Sequence, residues 1–190
     1  MTKSTQVDWR DFHKNLRCAA MFACKDDFRV AFNSILLKSA SGKVSLAGTQ
    51  GHSFYIGTQQ CEGDDFEVLI PLERARKFLA LSPPRKGDER ARVALGSRCT
   101  MLADGTLFAF KPPSAQLPKY ETVIPKTEKA ACPLVGLNPL LLKPICEAFR
   151  ILGQGQMKTE HGKDALGAFK FSSVGIPAVS VTVVLMPMRI

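Results

Sequence analysis

The sequence predicts an α+β fold of about three β-α-βββ repeats, with the helices on one face of antiparallel sheets. Three observations predict it. Helix-period and strand-period stretches alternate in one rhythm that recurs at about 60 residues along a 190-residue chain. Gly-, Asp- and Pro-containing turns separate the strand stretches. No single repeat can bury both its sheet and its helix, so the repeats must pack side by side.

In the first repeat, "VDWRDFHKNLRCAAMFACK" sets Trp9, Phe12, Leu16, Ala20 and Ala23 at helical spacing, with Asp8 as N-cap. "DFRVAFNSILLKSA" reads as one strand, the "SGK" around Gly42 as a turn, and "KVSLAGT" and "HSFYIGTQ" as two further strands. In the second, "FEVLIP" is a strand and "LERARKFLALS" a short helix that stops before Pro83 and Pro84. "ARVALGS", "RCTMLAD" and "TLFAFKPP" are strands, with an Asp104–Gly105 turn between the last two.

In the third, "CPLVGL" is a strand. Asn138 caps a helix that has Pro139 at its first position, where the missing N–H costs nothing. Leu141, Ile145, Ala148, Phe149 and Leu152 form its apolar face, and Pro144 is expected to kink it. "GQGQMKTEHGKD" reads as a polar loop, and "ALGAFKFSS" and "AVSVTVVLMPMRI" as the closing strands. The expected order is thus α-βββ, β-α-βββ, β-α-ββ.

Apolar residues make up 45% of the chain, enough for a packed core. Lys plus Arg number 26 against 17 Asp plus Glu, a net charge of +9 that suits a polyanion such as nucleic acid. The excess gathers on the helices. Arg10, Lys14 and Arg17 form one stripe, Arg74, Arg76 and Lys77 lie on the second helix, and Lys143 and Arg150 share a face of the third. A solvated helix face explains any one of these. The same bias on three helices points to contacts with the phosphate backbone of double-stranded DNA, which give affinity without sequence information.

Cysteines stand at 18, 24, 61, 99, 132 and 146 with no C-x-x-C pair, and His13, His52 and His161 complete no zinc spacing. Most of the cysteines have apolar neighbours and read as reduced core residues, which favours a cytoplasmic protein. No signal peptide and no membrane-spanning run is expected. No nucleophile–base pair, phosphate-binding loop or acid pair stands at a catalytic spacing, so no enzyme activity and no cofactor is expected.

Four stretches carry a resemblance to a known family: "DDFRVAFNSILLKSASGKVSLAGTQGHSF", "LPKYETVIP", "GLNPLLL" and the ending "VVLMPMRI". The chain resembles the bacterial sliding clamp, the beta subunit of DNA polymerase III. The first two stretches look like the family's middle domain. The last two look like the closing half of its last domain. The resemblance implies the DNA clamp fold. It implies a complete clamp-like domain over 1–125, in half-domain repeats of about 1–62 and 63–125, and a single C-terminal half-domain over 126–190. Family rings hold twelve half-domains, with helices lining a basic hole. Four copies of a three-repeat chain restore that number, so a tetrameric homo-oligomer is expected.

The resemblance also implies a pocket for the short motifs by which polymerases and repair proteins bind clamps. One wall would be Phe32, Thr49, Gly51, His52, Phe54, Pro118 and Val123. The other would be Asn138, Leu141, Leu166, Val184, Met186, Pro187, Met188 and Arg189. Methionine adapts its shape to varied apolar ligands, and proline ends a strand ladder. Each of these residues also has a plain structural explanation as cap, turn or core. The sequence departs from the family at Gln50, Ser53, Phe54, Thr122 and Leu141, which implies a less basic rim and a changed shape. Two readings follow. One is a small clamp encircling duplex DNA and tethering partners. The other is a peptide-binding module that closes no ring and competes with a host clamp for its motifs.

Overall fold

The computed structural model describes residues 2–24, 29–82, 89–118, 124, 136–161, 167–175 and 177–188. The first unit contains β1 (Lys3–Asp8), α1 (Trp9–Phe22), β2 (Ser34–Ala40), β3 (Lys43–Thr49), β4 (Ser53–Gln60) and the short β5 (Glu62–Gly63). The second contains β6 (Phe66–Pro71), α2 (Leu72–Leu79), β7 (Arg90–Leu95), β8 (Cys99–Ala103) and β9 (Thr106–Phe110). The third contains α3 (Pro139–Ile151), β10 (Met157–His161), β11 (Phe169–Ser173) and β12 (Ser180–Leu185).

Local chemistry sets the boundaries. Asp8 Oδ1 accepts from the Asp11 amide at 2.8 Å and Asn138 Oδ1 from the Leu140 amide at 2.9 Å, so both expected N-caps form. α3 continues through Pro144. Ser41–Gly42 and Asp104–Gly105 both have positive φ at their two residues, the backbone that tight hairpin turns require.

The strands form two antiparallel sheets, in the orders β5-β1-β7-β8-β9 and β10-β11-β12-β4-β3-β2-β6. The first two units exchange their opening strands: β1 pairs with β7 of the second unit, and β6 pairs with β2 of the first. The third unit joins the first edge to edge, with β12 antiparallel to β4.

The main core lies between the helices and the sheets, around Trp9, Phe12, Leu16, Leu46, Tyr55, Ile70, Phe78 and Met101. A smaller cluster of Leu36, Ala47, Phe54, Ile56, Leu69 and Val184 lies on the other face of the seven-stranded sheet, covered in part by Ala115, Leu117, Ile124 and Ala168. Asn15 ties α1 to β4 from within the core. Its Nδ2 donates to Gly57 O and Gln59 Oε1, both at 3.1 Å, and its Oδ1 accepts from Tyr55 OH at 2.9 Å. At Gly48 a Cβ would collide with the Ala19 carbonyl, so glycine there lets α1 lie directly on β3.

Three expectations are corrected. A strand, β1, precedes the first helix; only Thr5 and Val7 of "KSTQVD" are buried, so its pattern is too polar to stand out. "DFRVAFNSILLKSA" is not one strand: residues 30–33 turn, with Asn33 N bonded to Arg29 O at 2.9 Å, before β2 starts at Ser34. The polar "MKTEH" is a strand, β10, stabilised by its ladder to β11 rather than by an apolar face. Of the described cysteines, Cys18, Cys61 and Cys99 are buried, in keeping with the expectation that most are core residues, and Cys146 is exposed. The expected strand "CPLVGL" lies outside the described residues up to Val135, and Gly136 forms a bridge to Met188.

Candidate nucleic-acid face and peptide site

Residues of all three helices enclose one groove of about 470 Å³, with Arg17, Ala20 and Met21 from α1, Arg76 and Leu79 from α2, and Lys143, Pro144 and Glu147 from α3. Three cations from separate units therefore meet over an apolar floor. Arg17, Arg76 and Lys143 are all exposed, as are Arg74, Lys77 and Arg150. Arg10 and Lys14, two turns and one turn N-terminal to Arg17, are half-buried.

Lys77 and Arg150 each carry an acidic companion. Lys77 Nζ bonds Glu73 Oε1 at 2.6 Å, and this bond holds the Glu73 carboxyl below its ordinary range. Arg150 forks onto Glu147 at 2.9 and 2.6 Å, which lowers Glu147 and raises Arg150. Solvent screens both pairs, so the two cations remain open to exchange for a phosphate. Ala20, which by its spacing belongs to the apolar helix face, lines the groove together with Met21 and Leu79.

The residues expected to bind a peptide fall into three groups. Phe54 and Val184, one from each wall, are direct partners in the β4–β12 ladder and belong to the outer-face cluster. Just beyond them, the Met186 amide donates to His52 O at 3.1 Å. The Met188 amide donates to Gly136 O at 2.9 Å, so the terminal stretch is fastened on one side to the first unit and on the other to the lead-in of α3. Met186 and Met188 stay 44% and 52% exposed, so their side chains are available although their backbone is held. Gly51 and His52 are exposed, and the Phe32 ring lies where a Cβ on Gly51 would touch it at 3.8 Å. Pro118 is exposed and Pro187 half-buried.

Others of the set have structural work. Thr49 is buried, its hydroxyl donating to Ser53 O at 2.8 Å and accepting from Gly51 N at 3.0 Å, which closes the turn that presents His52. Ser53 is also tied down, donating to Gln50 Oε1 at 3.0 Å. Asn138 caps α3, and Leu141 packs on the helix-side core rather than on the outer face with Phe54. Val123, Leu166 and Arg189 lie outside the described residues. Two residues close in sequence to this set were not singled out from the sequence. Leu140 is 77% exposed, and Arg29 stands over the Phe32 ring at 5.9 Å.

Among the described residues no three His, Cys, Asp or Glu side chains converge as metal ligands, and no helix is long and apolar enough to cross a membrane.

Two antiparallel sheets backing three helices, with opening strands exchanged between units, define a DNA clamp fold. Solved structures that it matches include sliding clamps. The DNA polymerase III beta subunit from Thermotoga maritima superposes with a TM-score of 0.79 at 14% identity, over 99% of this chain and 66% of that one. The DnaN sliding clamp from Pseudomonas aeruginosa, solved bound to griselimycin, gives 0.80 at 14% identity, over 98% and 65%. A further Pseudomonas aeruginosa sliding clamp structure gives 0.77 at 14%, over 99% and 66%. This chain spans about two thirds of the length of those clamps, and at such identity the likeness is one of fold. No protein-family model and no curated protein matches the sequence.

Proposed function

We propose that this protein is a small sliding-clamp-like factor that encircles duplex DNA as an oligomeric ring and tethers polymerase or repair partners through a peptide site. The observation that carries the reading is the groove where Arg17, Arg76 and Lys143 meet from three helices. Cations spread along one helix face contact phosphates whatever the sequence beneath, which is what a protein that moves along DNA needs. Closure needs interfaces that return on themselves, and four three-unit chains supply the twelve units of a clamp ring. The protein carries out no chemistry on the DNA and uses no cofactor.

Retention on nicked circular plasmid tests the ring. A closed ring stays on the circle and is lost once the plasmid is linearised. Equal retention on both forms defeats encirclement.

A second reading, a peptide-binding module that competes with a host clamp, is favoured by one observation. Phe54 and Val184, one from each proposed wall, pair within a single chain in the β4–β12 ladder, which supports a site that needs no ring. Displacement of a clamp-binding peptide from a host clamp by a strictly monomeric protein would support it.

A further inference from the structure

The third unit repeats the plan of the first but lacks its counterpart. Aligning the opening residues of the helices, Trp9 with Pro139, places the three most buried positions of α3 on buried positions of α1: Ile145, Ala148 and Phe149 fall on Asn15, Cys18 and Ala19. The strand ends agree as well. Gln6, three residues before α1, pairs with Glu62 after β4; Gly136, three residues before α3, pairs with Met188 after β12.

The two helices differ on one stripe. Trp9, Phe12, Leu16 and Phe22 are at most 1% exposed. Their counterparts are Pro139 and Cys146, which are exposed, and Leu142 and Leu152, which are half-buried. On α1 the second unit helps cover this stripe. Phe12 meets Phe78 of α2 edge-to-face at 6.1 Å, and His13 Nε2 lies 3.1 Å from Leu79 O. The sheet shows the same deficit. β2 has β6 of the second unit on its outer edge, whereas β10, its counterpart, has no strand on that edge among the described residues.

We infer that the third unit pairs with the third unit of a second copy of this chain about a two-fold axis, through the Leu142–Cys146 stripe of α3. The first two units set the precedent, since they complete each other by exchanging opening strands and packing α1 on α2. Two third units can pack α3 on α3 in the same way, because each leaves Pro139 and Cys146 exposed on that stripe. The α1–α2 contact joins the fifth residue of one helix to the eighth of the other, His13 to Leu79. In a two-fold pair the same contact joins Lys143 of one copy to Cys146 of the other, so the two Cys146 thiols flank the axis. An isologous contact of this kind is self-limiting. The inference deepens the ring reading by naming one of its interfaces, yet a dimer that never closes a ring satisfies it equally.

The test uses the full chain at micromolar concentration. Light scattering on a sizing column gives the mass, and a short bismaleimide followed by peptide mass spectrometry maps the linked thiols. The expected result is a dimer or tetramer with a Cys146–Cys146 link. Cys146→Glu, a change at an exposed position, should halve the mass with an unchanged circular-dichroism spectrum. A monomer at tens of micromolar overturns the proposal, as does an oligomer whose mass survives Cys146→Glu, or links that join Cys146 only to other cysteines. A Cys146-linked dimer that is not retained on circular DNA upholds this interface and defeats the ring; a tetramer that survives Cys146→Glu and is retained on circles does the reverse.

Discussion

Phe54 of β4 stands directly opposite Val184 of β12, and this pair joins the first unit to the third on the outer face of the sheet. Both side chains are nearly buried, at 7% and 3% exposure. Truncating Phe54 to Ala should therefore cost about 3–5 kcal/mol, the usual range for deleting a buried ring. Urea unfolding reads the loss as a lower midpoint at unchanged slope. An unmoved midpoint would show that the outer cluster is not packed.

Met186 and Met188 offer a cleaner test of the peptide site than deleting the chain end, because Met188 N also holds Gly136. Replacing both with Ala keeps the backbone bonds and removes only exposed side chains. Stability should stay within about 0.5 kcal/mol. Affinity for a clamp-binding peptide, followed by fluorescence anisotropy, should fall about tenfold or more if the two are anchors. Unchanged affinity removes them from the site.

Charge reversal on the helix face addresses DNA. Arg17→Glu, Arg76→Glu and Lys143→Glu together should weaken binding to duplex DNA of any sequence. The log–log salt slope should shrink by about 0.9 for each phosphate left without its cation. Reversal of Arg10, Lys14 and Arg17 should act in the same direction along α1. A salt slope equal to that of the unaltered protein would place the DNA elsewhere.

Tyr55→Phe removes the donor to Asn15 Oδ1 and leaves that buried oxygen without its partner. A cost of about 1–3 kcal/mol is expected. Gly57→Ala should be worse, since a Cβ there collides with both the Asn15 amide and the Tyr55 hydroxyl. Equilibrium unfolding of the two variants orders them; a neutral Gly57→Ala would contradict the close approach of α1 to β4.

Burial pushes the Cys18 and Cys99 thiols from 9.0 up to about 12. In the unfolded chain they ionise near the ordinary value, so the folded state binds more protons between those limits. Their contribution to stability is present in full below pH 9 and declines as pH rises from about 9 toward 12. At pH 8, iodoacetamide should modify exposed Cys146 quickly and reach Cys18 and Cys99 only on unfolding. Equal labelling rates for the three would overturn their placement.

Much of the fold was legible because local patterns carry it. The apolar spacing of Trp9, Phe12 and Leu16, the caps Asp8 and Asn138, and the two hairpin turns are properties of neighbouring residues. The strands that escaped notice, β1 and β10, are polar segments held by ladder bonds to distant partners. No periodicity marks them, since their backbone bonds rather than an apolar face hold them in place. The residues proposed for a peptide site were suggested only by a resemblance, and the structure shows why: Thr49, Asn138 and Leu141 each do local structural work.

By itself the sequence determined the α+β class, the recurring helix-and-strands unit and the cationic bias of its helices, all consequences of spacing and composition along the chain. Tertiary structure alone decided that β1 and β6 are exchanged between units, that β12 closes onto β4, and that Arg17, Arg76 and Lys143 share one groove. These depend on which edges and faces meet in space. Pairing between distant strands is set by total burial over the whole core and leaves little trace in either strand alone.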